Sequence, residues 1–173
     1  RAEGSASAAV QPTARGTVAV TSSDSVALFD DLIVSVCAQI EMGAGARIYV
    51  EGRITVEGTG ICPVVMYSFA SSDHEGLQFN SSSNSRGSVV NNLTIEDGIY
   101  GVTVFGSNPS FSNLTIINPD RVGIDLFNSA SPVIRDLYID QAGRMVPFQN
   151  DWRYGIGLSI GAGSTPILDR AYF

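Results

Sequence analysis

The feature that most constrains this chain is a repeat. Val90-Asn91-Asn92-Leu93-Thr94-Ile95, Phe111-Ser112-Asn113-Leu114-Thr115-Ile116 and Ile134-Arg135-Asp136-Leu137-Tyr138-Ile139 can be written beneath one another, and Leu168-Asp169-Arg170-Ala171-Tyr172-Phe173 follows as a fourth copy. Each reads apolar, polar, polar, apolar, variable, apolar. A second motif recurs between them: Gly76-Leu77-Gln78-Phe79, Gly101-Val102-Thr103-Val104, Gly123-Ile124-Asp125-Leu126 and Gly155-Ile156-Gly157-Leu158. Proline marks the period. Pro63 to Pro109 is two steps of 23 residues, Pro109 to Pro132 is one, and Pro132 to Pro166 is one step plus eleven. Self-similarity at a short fixed period is the mark of a solenoid.

The solenoid is one of strands. No Asn-Gly pair separates alternating strands as a hairpin would require. Instead the same strand type returns once per coil, where it can pair in parallel with its copy about 4.8 Å above. Like residues then stack on like. Val90, Phe111, Ile134 and Leu168 form one inward column; Leu93, Leu114, Leu137 and Ala171 a second; Ile95, Ile116, Ile139 and Phe173 a third; Val102, Ile124 and Ile156 a fourth. Asn92, Asn113 and Asp136 precede the second strand, where the chain must bend; Asn and Asp tolerate the left-handed backbone of such a bend. The reading is an all-β, right-handed parallel β-helix of about five coils of roughly 23 residues, with three short strands per coil.

Three stretches divide the chain. Residues 1–24 are small and polar and read as a flexible N-terminal segment. Residues 25–61 read as an N-terminal cap with the opening coils, in which Val26 to Val36 fits either a strand or a short capping helix. Residues 62–173 carry the regular coils, with an insertion at 142–153. The chain starts at Arg1 without Met and stops at Phe173 within an apolar strand pattern, so it reads as a piece of something longer, with further coils or a cap to follow.

Composition narrows the function classes. Apolar residues make up 44% and charged residues 16%, and the net charge is −7 with every basic residue an Arg. An acidic surface repels nucleic-acid phosphates and anionic lipid, and no apolar run reaches the ~20 residues that span a bilayer.

The run from Ile40 to Thr59, followed by Cys62-Pro63-Val64-Val65-Met66-Tyr67-Ser68, resembles the start of right-handed parallel β-helix domains of secreted and cell-surface archaeal and bacterial proteins. The later coils resemble the NosD-like repeats of the pectate-lyase-like superfamily, which includes carbohydrate-binding proteins and sugar hydrolases. The resemblance covers residues 40–173. It implies a fold rather than one activity, because this fold carries lyases, hydrolases, adhesins and passive shells.

Glycoside hydrolysis needs two carboxylates roughly 5–9.5 Å apart, but Asp97, Asp120, Asp125, Asp136, Asp140 and Asp169 are scattered over turns and faces, and Asp30-Asp31 precedes the repeat. No catalytic residue and no metal site is therefore assigned. No cofactor is expected, with calcium at the oxygen-rich turn residues Glu96, Asp97 and Asp120 as the one alternative. His74, the only histidine, reads as a loop residue. Cys37 and Cys62 lie 25 apart, close to one coil, and are a candidate disulfide of an exported protein, with two buried thiols as the alternative. Asn80, Asn92 and Asn113 open glycosylation sequons; the turn ladder would hide Asn92 and Asn113, which leaves Asn80, in a Ser-rich loop, as the best acceptor. Tyr138 and Tyr172 continue an outward Thr94–Thr115 column and can stack on sugars or on each other. Within the insertion, Arg144, Phe148, Trp152 and Arg153 have the chemistry of a binding hot spot, or fold back to cover the sheet.

The expectation is an extracellular or cell-surface structural and binding module of a larger protein. Its partners would be glycans, other protein subunits, or further coils of its own parent chain, and its open end offers a route to self-assembly. The alternative is a polysaccharide lyase or glycoside hydrolase; carboxylates and Arg clustered in one groove would favour it.

Overall fold

The computed structural model describes residues 17–21, 23–26, 31–69, 73–143 and 155–173. Among these residues fifteen strands wind through three faces. β1 (Thr17–Val20), β2 (Asp24–Val26) and β3 (Asp31–Val34) make the first turn. β4 (Gln39–Met42), β5 (Arg47–Val50) and β6 (Arg53–Glu57) make the second. β7 (Val64–Ser68) and β8 (Gly76–Phe79) lead into β9 (Val89–Glu96), and β10 (Tyr100–Phe105) into β11 (Ser110–Ile117). β12 (Val122–Phe127) leads into β13 (Val133–Asp140), and β14 (Ile156–Ile160) into β15 (Ile167–Tyr172).

All the ladders among the described residues are parallel. Strands β2, β5, β8, β10, β12 and β14 form a six-stranded sheet, here the third face. Six strands on one face mean six turns among the described residues, where the repeat predicts about five. The remaining nine strands form one bent sheet. Its first face holds β3, β6 and the leading halves of β9, β11, β13 and β15; its second face holds β1, β4, β7 and the trailing halves. β9 shows the bend directly, pairing with β6 through Val89–Asn91 and with β7 through Leu93–Ile95.

The bends are where the sequence places Asn and Asp. Asn92, Asn113 and Asp136 have φ of 49°, 51° and 56°, and Arg170 continues the series at 59°. A second left-handed column closes the second face at Asp97, Asn118 and Gln141, with φ of 57°, 53° and 55°. Its three unlike residue types hide it from a motif search.

The first three inward columns stack as expected. Val90, Phe111 and Ile134 are in register and buried, as are Leu93, Leu114 and Leu137, and Ile95, Ile116 and Ile139. Phe111 also packs edge-to-face on Phe79, at 5.5 Å between centroids. Each such side chain contributes roughly 1.5–3 kcal/mol by burial. Leu168 stacks on Ile134 and is 37% exposed where Ile134 is 1%.

The fourth column differs from its spelling. Ile124 pairs with Leu158, and Ile156 lies over Val122, so the column is Leu77, Val102, Ile124, Leu158. Gly157, not Gly155, therefore stacks on Gly123. The reason is space. A Cβ on Gly123 would lie 2.6 Å from the Gly157 carbonyl oxygen and 2.7 Å from Ile139 Cδ1, and one on Gly157 would lie 2.5 Å from Phe173 Cδ1. At Gly155 nothing comes closer than 3.6 Å. The third apolar column thus fills the room that a glycine column leaves.

The N-terminal part also differs. Thr17–Val20, inside the stretch expected to be flexible, is hydrogen-bonded in register to β4, and the Val26–Val36 region contributes strand β3, paired with β6. Its alternation is too short to stand out within a Ser- and Ala-rich stretch. Cys37 and Cys62 form the expected disulfide, with Cα atoms 4.9 Å apart; it joins the β3–β4 turn to the β6–β7 turn one coil on. Among the described residues no helix is long and apolar enough to cross a membrane.

Candidate ligand-binding face

The second face presents two outward columns. One runs Gln39, Val65, Thr94, Thr115, Tyr138, Tyr172. Tyr138 is 47% exposed and Tyr172 61%, so this pair is the sequence candidate that the structure does bring together. The other column holds Glu41 beside Tyr67, then Ile117 between Glu96 and Asp140. Tyr67 Oη donates to Glu41 Oε1 at 2.7 Å, and that hydrogen bond to a carboxylate, followed by burial, raises the phenol's pKa. The result is an outward strip with two exposed aromatic rings, bordered by carboxylates.

The insertion leaves this same corner. Gly143 N–H donates to the Pro119 carbonyl at 2.9 Å, and Ile156 N–H donates to the Arg121 carbonyl at 3.0 Å. One residue, Asp120, separates those two acceptors in the coil below, whereas residues 144–155 separate the donors. Arg144, Phe148, Trp152 and Arg153 lie outside the described residues.

The carboxylates that a hydrolase would need are dispersed. Asp125 faces outward on the third face, beside Thr103 and Ser159. Asp136 takes two hydrogen bonds from the Arg170 guanidinium, at 2.5 and 2.9 Å, which hold its carboxyl below the usual range, and Asp169 also pairs with Arg170 at 3.5 Å. Asp31 is engaged by Arg53 at 2.7 and 2.9 Å. Asp97 Oδ1 accepts from Asn118 Nδ2 at 3.2 Å, and Asp120 is buried. Among the described residues no three His, Cys, Asp or Glu side chains converge to hold a metal, and Glu96, Asp97 and Asp120 form no such group.

His74 is not the solvated loop residue that its polar neighbourhood indicates. It is fully buried between the second and third faces. Gly76 N–H donates to Nδ1 at 2.9 Å, which puts the ring proton on Nε2, 3.0 Å from the Glu96 carbonyl oxygen. Burial lowers its pKa, opposed by the Glu96 bond and by the charges of Asp73 and Asp97. The sign of the linkage follows. Above the ordinary 6.5 neither state holds the proton. Below it the unfolded chain takes up a proton that the native ring refuses, so stability falls as pH falls, by up to about 1.4 kcal/mol per unit, until the native ring titrates. His74→Gln keeps a donor and an acceptor but cannot titrate. Urea unfolding at pH 7 and pH 5 should show the variant losing less stability than the parent; equal losses would remove His74 as the origin.

Sequence reading also missed Arg47 on the third face. Its guanidinium lies 5.8 Å from the Tyr49 ring centroid and 5.7 Å from that of Tyr100, pairs with Glu75 at 2.9 Å and bonds Gln78 Oε1. Only the coil-to-coil register brings residues 28 to 53 apart in sequence to one place.

A family described as a right handed beta helix region matches residues 17–169. The chain belongs to the right-handed β-helix family. The match begins at the residue where β1 begins and ends within β15, so it coincides with the described solenoid. No curated protein matches this right-handed β-helix chain, and no solved structure matches it.

Proposed function

We propose that this right-handed β-helix is an extracellular structural and recognition module of a larger surface protein, related to the NosD-like repeats, and that its second face binds glycans. Right-handed β-helix regions occur in surface proteins and in polysaccharide-acting enzymes, and a disulfide is compatible with an extracellular setting. The observation that carries the reading is the in-register, exposed pair Tyr138 and Tyr172 on a parallel sheet, beside the insertion's point of departure. Rigid aromatic rings with a polar tip supply contact area at low entropic penalty. The bordering carboxylates Glu41, Glu96 and Asp140, with a net charge of −7, repel uronate-rich polymers and favour neutral or amino sugars.

A glycan array of the full chain tests this. The parent should retain neutral glycans, and Tyr138→Ala/Tyr172→Ala should bind them at least roughly tenfold more weakly, a loss of about 1.4 kcal/mol. A Phe148→Ala/Trp152→Ala variant reads the insertion's share. Retention of full affinity by the double Tyr variant would rule out the second face, and binding of uronates alone would contradict the charge argument.

A further inference from the structure

The fold treats its three sequon asparagines differently. Asn92 Nδ2 donates to the Gly58 carbonyl at 2.9 Å. The β6–β7 turn lies against it so closely that a Cβ on Gly58 would fall 2.2 Å from the Asn92 carbonyl oxygen. Asn80 is half-buried; its Oδ1 accepts from Gln78 Nε2 at 2.7 Å, and its carbonyl accepts from the Ser83 hydroxyl and amide. Asn113 stands apart. It is exposed, its backbone is already in the left-handed bend, and its carboxamide has no hydrogen-bond partner among the described residues. The neighbouring bend residue Asp136 is turned to Arg170. Thr115, which completes the sequon, faces outward between the buried Leu114 and Ile116.

We infer that Asn113 is an N-glycosylation acceptor, and that Asn80 and Asn92 are not. The bond formed joins Asn113 Nδ2 to the anomeric carbon of an oligosaccharide carried on a lipid pyrophosphate. The lipid pyrophosphate leaves, and the amide gives up one of its two protons. The bend survives, because φ at Asn113 is a backbone property and no hydrogen bond of the side chain is lost. At Asn92 a glycan would have to displace the β6–β7 turn; at Asn80 it would crowd the Gln78 contact and the single 3-10 turn at Ser81–Ser83. The inference shares with the proposed function only the exported location, and it stands whether or not the second face binds sugars.

The test is secretion of the full chain, behind a leader peptide, from eukaryotic cells, followed by intact mass and peptide mapping before and after peptide N-glycosidase. One oligosaccharide is expected, and its enzymatic release should leave Asp at position 113. Asn113→Asp, which keeps a side chain suited to the bend, should lose the adduct completely. Thr115→Val, which leaves the bend untouched and keeps β-branching, should lose it as well, while Asn80→Gln and Asn92→Asp keep it. A glycan found on Asn80 or Asn92, or a secreted chain without one, overturns the inference.

Discussion

Gly101→Val should lower stability by at least about 3 kcal/mol, the upper range for overpacking a filled core. A Cβ at Gly101 would lie 2.6 Å from the Gly123 carbonyl oxygen and 2.8 Å from both Cδ1 and Cγ2 of Ile116. The first is backbone held in a parallel ladder, and the second is a fully buried column residue, so neither can give way cheaply. Gly101 does not have a positive φ, so the loss measures collision rather than backbone preference. Thermal unfolding followed by circular dichroism should show a midpoint roughly 6–12 °C lower, at about 2–4 °C per kcal/mol for a chain of this size. Gly60→Val is the control: nothing lies within 4 Å of its Cβ, and it should move the midpoint little. A Gly101→Val midpoint within the error of the parent's would mean that the coils can separate to admit a side chain.

Removing the disulfide should have a similar effect by a different route. Cys37 and Cys62 are 25 apart in sequence, and closing a loop of that length withdraws about 3.5 kcal/mol of chain entropy from the unfolded state. The covalent link also ties the two opening coils at a turn where Ile61 is 98% exposed and contributes no burial. Cys37→Ala/Cys62→Ala should therefore lower the midpoint by roughly 7–14 °C, and reduction of the parent should reproduce the shift. Because Cys37 has a φ of 64°, Cys37→Gly/Cys62→Ala should lose less, since glycine adopts that backbone freely. Equal midpoints for oxidised and reduced parent would show that the link does not constrain the unfolded chain.

Much of the fold was legible, and less of the site. Leu93, Leu114 and Leu137 declare themselves because each holds the fourth place of the same six-residue motif, and the three are in register. Ile156 misled because two glycines bracket it, and the one that stacks is selected by the crowding of Ile139 and Phe173, not by its neighbours in sequence. His74 looked solvated because its adjoining residues are polar; its ring is buried by Glu96 and Gly98 from the next coil. Arg47, Tyr49 and Tyr100 carry no motif at all.

The boundary between the two kinds of information is physical. Alternation within a strand sets which side chains point inward, and the short repeat sets that strands pair with their own copies; both are local properties that the amino-acid sequence determines by itself. Asn and Asp at 92, 113 and 136 belong to the same class, since the left-handed bend is a single-residue preference. What lies above what was decided only by the tertiary structure. The step from one rung to the next ranges from 21 residues between Val89 and Ser110 to 34 between Val133 and Ile167. With turns of such unequal length, spacing no longer fixes the register. The neighbours that bury His74, hold Arg47, leave the Asn113 carboxamide without a partner among the described residues and align Tyr138 with Tyr172 are then chosen by packing across coils.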